Sequence, residues 1–225
     1  MAGIKTIILA VLVIISMSVN GQDDFPATLA ALQEKYSSAD NMRIRMRIEA
    51  YPWRGSDQSF YKEDVLIEKS GTAYRYQLKE TEMLMNDRFT LVVDHTTRRI
   101  TMRARDVKGE INFQRQVSFH MDSILRIFPE GTYDGLHGIN HQYVVHFKEG
   151  EISKMDLFIS KESQTLTAIH YSYRTGQWVK IEFDEFELSP FFERNEFDES
   201  IFVNKTESIW APSSTLSGYS IQLTK

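Results

Sequence analysis

The chain contains no cysteine, which excludes disulfide bonds, thiolate metal sites, cysteine nucleophiles and a lipid anchor on cysteine. Only 5 of its 225 residues are proline and 11 are glycine, which leaves little room for long linkers. Basic residues are not in excess, since 26 Lys and Arg face 31 Asp and Glu for a formal net charge of -5. Because nucleic-acid binding needs a basic surface, this balance argues against nucleic acid as a partner.

What the chain does contain is typical of a folded domain. Hydrophobic residues make up 42% and charged residues 25% of it, which is close to the average for globular proteins. A chain of this length supports one sizeable core but not two large domains. The 14 Phe, 10 Tyr and 9 Met supply much of the apolar surface. Composition therefore predicts a single domain and leaves its chemistry open.

The first residues, 1–21, are predicted to be a signal peptide. Lys5 is the only charge before Asp23, and it precedes an apolar run over 7–15. This order is typical of secretory signals, and the run is short for a membrane-spanning helix. Cleavage would leave a chain that begins at Gln22, is periplasmic or otherwise exported, and has no stable membrane span. An uncleaved anchor is the alternative.

Hydrophobic spacing predicts one helix and then many strands. Apolar residues at Leu29, Leu32 and Tyr36 predict a helix over 25–36. The period then becomes two over 42–50, where every second residue is apolar and most residues between are basic. Such alternation indicates a strand with one covered and one solvated face.

The same alternation recurs along the chain with short turns between segments, which is typical of antiparallel hairpins. It is found at 60–69, 74–78, 82–85, 89–93, 100–104, 143–147, 155–159, 167–173 and 179–183. Two segments interrupt it. Residues 118–128 have helical spacing, and the glycine-rich segment 130–141 is predicted to be a mobile loop. Because a two-sided sheet must bury its apolar face, we expect both helices to cover it.

This order of elements resembles the LolA-like superfamily of periplasmic lipoprotein carriers. The resemblance spans 25–203. The segments that carry it are 42–46, directly after the predicted helix, and then 89–94, 155–159 and 197–203. It implies a mainly β (α+β) fold in which a strongly curved antiparallel sheet forms an incomplete barrel. The N-terminal helix and a mid-chain helix and loop would close its mouth. The domain would cover 22–204, with 205–225 as an extension packed on it.

No pattern of catalytic residues stands out. His137 and His141 have a metal-like spacing, but the glycines around them argue against a helix, so no metal site is predicted. Asp94 before His95 is interpreted as the start of a turn. The acidic residues over 182–187 alternate with apolar ones and are interpreted as a solvated strand face. We therefore expect neither an enzyme nor a cofactor.

Two interpretations remain open for the basic residues. They could form one convex face that attracts anionic head groups or an acidic partner, or a solvated face paired with nearby carboxylates, and we favour the second. The residues are Arg43, Arg45, Arg47, Arg75, Arg99 and Arg103.

The feature that favours a binding function is the apolar face of the predicted strands, which is rich in methionine. Methionine suits surfaces that accept varied apolar partners. Plain core packing is the alternative. The predicted cavity residues are Met42, Ile44, Met46, Ile48, Tyr74, Tyr76, Leu91, Val93 and Met102. The predicted lid residues are Met121, Ile124, Leu125 and Phe128.

Two functions of different classes follow. In the first, an exported carrier or chaperone binds a lipid or an acylated polypeptide in the cavity. In the second, the cavity is filled by the protein itself, which then acts as a non-enzymatic accessory or assembly component with an envelope protein as its partner.

Overall fold

The computed structural model describes residues 25–105, 131–207 and 209–224. Its helix α1 (Phe25–Ser37) has Pro26 in the first turn, where the missing N–H of proline is tolerated. Leu29, Leu32 and Tyr36 are buried on one side of α1, so the predicted helix is confirmed. No helix within the described ranges is both long and apolar enough to cross a membrane.

Fourteen strands follow in the described residues. They are β1 (Asn41–Tyr51), β2 (Tyr61–Ser70), β3 (Ala73–Gln77), β4 (Thr81–Met85), β5 (Phe89–Asp94), β6 (Arg99–Ala104), β7 (Gly131–His137), β8 (Asn140–His146), β9 (Ile152–Ser160), β10 (Leu166–Tyr173), β11 (Trp178–Glu187), β12 (Val203–Thr206), β13 (Ile209–Pro212) and β14 (Ser220–Thr224). All ten predicted strands are present, with ends shifted by a few residues, and β7, β12, β13 and β14 are additional to them.

Twelve of these strands form one sheet in the order β14-β6-β5-β4-β3-β2-β1-β11-β10-β9-β8-β7, while β12 and β13 pair separately. The pairing is antiparallel except for β14, which runs parallel to β6. The sheet is long, curved and not closed, so the predicted fold class is confirmed. The predicted signal peptide and the predicted mid-chain helix over 118–128 lie outside the described residues. The strands on either side of that segment, β6 and β7, lie towards opposite edges of the sheet.

The prediction of a mobile loop over 130–141 is wrong, because most of this segment forms the β7–β8 hairpin. Its glycines have defined roles. Gly135 has a φ of 106° next to a shift in the strand register, and a positive φ there is accessible mainly to glycine. Gly138 has a φ of 63° and begins the two-residue turn to Asn140, as type II′ hairpin turns require.

The two faces of the sheet carry separate apolar clusters. The inner face, defined as the one against α1, includes Ile44, Ile67 and Tyr76, which lie opposite one another on β1, β2 and β3. The outer face carries a second cluster that includes Leu84, Leu91 and Met102. Alternating side chains of β4 separate these clusters, since Met83 belongs to the inner one and Leu84 to the outer one.

The C-terminal segment 197–224, here called the tail, covers the outer cluster. Phe202, Val203 and Leu216 of the tail are buried in that cluster. Glu199 is anchored by the side chains of Asn86 and Arg88, at 2.9 and 2.7 Å from its Oε2. The tail ends in β14 at the edge of the sheet. The predicted boundary at residue 204 falls inside β12.

Candidate functional site

Six of the predicted cavity residues lie together on the inner face. Ile44, Met46 and Tyr76 are buried in the inner cluster, and Met42, Ile48 and Tyr74 pack against it half-buried. They come from β1 and β3, which both pair with β2. This apolar surface continues through Met83 and Met85 of β4.

The structure does not bring Leu91, Val93 and Met102 to this surface, because all three lie in the outer cluster beneath the tail. Val92, between the first two, packs against the inner cluster instead. Residues 89–93 are apolar at almost every position, so spacing alone could not tell which side of β5 faces inward. The four predicted lid residues lie outside the described part of the chain.

The inner face is a region of low polarity. Burial raises the pKa of Tyr36 and of Tyr171 to about 12, and it also raises the pKa of Tyr76 above its ordinary range. Tyr36 nevertheless keeps a hydrogen bond, because the N–H of Leu166 donates to its hydroxyl at 2.9 Å. Ionising a tyrosine on this face is therefore costly. Because the surface disfavours charge, it suits an apolar ligand.

Helix α1 covers only part of the inner face. A helix of 13 residues is about 20 Å long and about 10 Å wide, and strands are spaced about 4.8 Å apart. The helix crosses four neighbouring strands, since Phe25 at its start lies against Tyr143 of β8 and Tyr36 near its end stacks on Phe186 of β11. Even its length therefore spans only about a third of a sheet of twelve strands.

A groove of about 410 Å³ runs between α1 and β8–β9. This volume is within the usual range of ligand pockets, about 300–1,000 Å³. It is lined by Ala27, Thr28, Ala31, Leu32, Lys35, His141, Tyr143, Ile159, Ser160, Lys161 and Gln164. Ala27, Ala31 and Lys35 are four residues apart and so share one side of the helix. The groove exists because two of them are alanines, and Leu32, Tyr143 and Ile159 connect it to the inner cluster.

The basic residues of the outer face are paired. Arg43 contacts Glu68 at 2.9 Å, Arg45 contacts Glu185 at 3.3 Å, Arg47 contacts Asp64 at 3.1 Å and Arg75 contacts Glu82 at 3.4 Å. The hydrogen bond to Glu68 raises the pKa of Arg43. The favoured interpretation, a solvated face paired with carboxylates, is confirmed for these four residues.

The six arginines do not share one face, however. Ile100 and Met102 of β6 lie in the outer cluster, so Arg99 and Arg103, which alternate with them, lie on the inner face. The idea of one convex basic face is therefore wrong for these two residues. The alternation in β6 predicts that Arg99 and Arg103 share one side of the strand. It does not predict which side faces inward, because the neighbouring strand β5 is apolar on both sides.

The described residues contain no group of three or more side chains suited to hold a metal ion. His137 and His141 lie on two strands of a hairpin rather than on a helix, opposite Asn140 and Leu136 respectively. Asp94 accepts a hydrogen bond from the N–H of Thr97 at 2.9 Å, so the turn prediction is confirmed.

No family model and no curated protein matches this chain. Solved structures that are similar include an uncharacterized conserved protein from Thermus thermophilus, with a sequence identity of 7% and a TM-score of 0.48. That match covers 88% of this chain and 98% of the other. LprF from Mycobacterium bovis is similar at 8% identity over 74% and 94% of the two chains, with a TM-score of 0.47. A LolA superfamily protein from Nitrosomonas europaea is similar at 7% identity over 78% and 97%, with a TM-score of 0.34.

Proposed function

We propose that this protein is an exported carrier or chaperone that binds a lipid, or the acyl chains of an acylated polypeptide, on the inner face of its sheet. The observation that carries the proposal is the groove beside α1, whose floor of Leu32, Tyr143 and Ile159 belongs to the apolar inner cluster. An acyl chain in this groove would contact that cluster without unfolding any described strand.

The energetics are adequate for such a ligand. Burying an acyl chain is worth about 0.8 kcal/mol per CH₂ group, and micromolar affinity needs about 8 kcal/mol. About ten buried methylene groups would therefore suffice, before the cost of immobilising the chain. Met42, Met46, Met83 and Met85 do not line the groove, but they lie in or against the same inner cluster, where flexible side chains can adapt to apolar partners of different shape.

Two alanines of α1 allow a direct test. Ala31 lines the groove and Ala30 does not, although both are exposed on the same helix. Ala31→Trp should fill the groove and weaken uptake of a fluorescent fatty acid at least tenfold. The matched variant Ala30→Trp should bind as the wild type does. Equal uptake by both variants would contradict binding in the groove.

Organic-solvent extraction of the purified protein supplies the second readout. We expect bound lipid in the extract of the wild type and less of it in the extract of Ala31→Trp. If no lipid is extracted and the wild type takes up no fatty acid, the carrier proposal fails. The accessory or assembly component with a self-filled cavity would then be the better explanation.

A further inference from the structure

One end of the groove differs chemically from the rest. Lys35, in the last turn of α1, and Lys161, in the β9–β10 turn, both line it there, together with Gln164. We propose that these two lysines bind an anionic head group, a carboxylate or a phosphate, so that the ligand is an anionic amphiphile. This proposal rests on the proposed function and adds the class of ligand to it.

Lys35 is held in place by the fold. Its Nζ donates a hydrogen bond to the carbonyl oxygen of Ser163 at 2.6 Å, across 128 residues of sequence. An ammonium group has three N–H donors, so this bond leaves two for a ligand. The ammonium is therefore fixed beside the β9–β10 turn while it retains capacity to donate.

Lys161 is presented by the same turn, which is itself well anchored. The backbone N–H of Lys161 donates to the carbonyl oxygen of Ile139 at 3.1 Å, and the N–H of Gln164 donates to that of Ser160 at 2.9 Å. The turn is thus tied both to the β7–β8 turn and to its own strand. Its lysine and Lys35 come from distant parts of the chain but border one cavity.

The charge of this pair is not neutralised within the groove. Neither lysine forms an ion pair with a carboxylate of the described residues, and no residue that lines the groove is acidic. The outer face is different, since Arg43, Arg45 and Arg47 are each paired there with carboxylates. In a chain with a net charge of -5, two lysines at one end of an apolar groove match an anion on an apolar chain.

The groove also gives the ligand a direction. From the lysine end, the helix side of the groove continues through Ala31 to Ala27, and its floor continues through Ile159 to Tyr143. The head group would lie at Lys35 and Lys161, and the chain would lie along the alanines towards the start of α1. The two ends of one amphiphile would then meet the two kinds of surface that the groove offers.

The test compares ligands that share one chain and differ in head group. Decanoate, decyl phosphate and decanol are titrated against the full chain by displacement of N-phenyl-1-naphthylamine, a neutral apolar probe, at a pH where decanoate is ionised. We expect both anions to bind about tenfold more tightly than decanol. In the double variant Lys35→Gln/Lys161→Gln this advantage should disappear, while the affinity for decanol stays unchanged.

The control is Lys79→Gln/Lys148→Gln, which removes the same charge at two positions that do not line the groove and should leave the preference intact. Equal affinity of the wild type for decanoate and decanol would overturn the anionic proposal and leave the carrier proposal standing. If none of the three binds, the carrier proposal itself fails. Inorganic phosphate that competes as strongly as decyl phosphate would overturn the assignment to an amphiphile.

Discussion

The ring of Phe25 occupies the space that a Cβ atom on Gly131 would need. Phe25, the first residue of α1, is only 1% exposed and lies 5.4 Å from the ring of Tyr143 on β8. The hydroxyl groups of Thr28 and Tyr143 are 3.2 Å apart in the next turn. The position of α1, and with it the groove, therefore depends on the absence of a side chain at the start of β7.

The first prediction concerns this contact. Gly131→Ala should destabilise the protein by about 1–3 kcal/mol, because overpacking a filled site forces side chains or backbone to shift. Chemical denaturation measures the change. Phe25→Leu/Gly131→Ala should recover part of the loss, since a smaller side chain relieves the overlap and the two positions are coupled. A neutral Gly131→Ala would contradict the close approach of ring and strand.

The second prediction concerns the two sides of β1. Ile44→Asp should unfold or severely destabilise the domain, because an unpaired carboxylate would be placed in the inner cluster. Arg45→Asp, one residue along, should change the free energy of unfolding by only about 0.5 kcal/mol. Arg45 is exposed, and its pair with Glu185 is a surface ion pair.

Thermal melting of both variants provides the measurement. A large gap between the two melting temperatures is expected. Comparable losses would show that the register of β1 in the sheet is wrong.

How far the sequence predicts this fold depends on the strand. In β1, apolar and charged residues alternate strictly, so Ile44 and Arg45 could be assigned to opposite faces from spacing alone. In β5, Leu91, Val92 and Val93 are all apolar because the two faces of the sheet are both covered there. A period of two disappears when both sides are buried, and the assignment of Leu91 failed for that reason.

The groove could not have been predicted at all. Its helix side is formed by Ala27 and Ala31, which in sequence indicate no more than a good helix. Its cationic end joins Lys35 to a turn 128 residues later. β14 is a similar case, because Ile221 pairs in parallel with Ile100. Sequence spacing carries local information, whereas these contacts depend on how distant segments meet.

The third prediction concerns the tail. A chain that ends at Gly218 lacks β14 and leaves the backbone groups of β6 unpaired at the edge of the sheet. Exposed edges pair with other chains, so we expect this variant to form dimers or aggregates. It also loses the Tyr219 hydroxyl, which lies 2.8 Å from Nδ1 of His95. Light scattering measures association.

The point variant Tyr219→Phe is the control for the tail. It removes the hydrogen bond to His95 and keeps β14, so it should remain as monodisperse as the wild type. If the truncated chain is equally monodisperse, β14 does not protect the edge of the sheet.

The fourth prediction concerns pH and rests on His170, on the outer face of β10. Burial lowers the pKa of His170 to about 4, from an ordinary 6.5, although Asp156 lies opposite it on β9. Its ring contacts those of Phe158 and Trp178, with ring centroids 4.8 and 5.2 Å away. Nε2 is buried and has no hydrogen-bond partner in the described part of the chain.

The sign of the effect follows from the direction of this shift. Between pH 6.5 and 4 the unfolded chain binds a proton at His170 and the folded chain does not, so folding loses stability as the pH falls through this window. This penalty on folding is absent above pH 6.5 and is complete below pH 4. His170→Phe should remove it and be stabilised relative to the wild type by roughly 1–2 kcal/mol more at the acid end than at neutral pH. Urea unfolding of both proteins across this range measures the difference. If the gap between His170→Phe and the wild type does not change with pH, His170 titrates normally and is not desolvated.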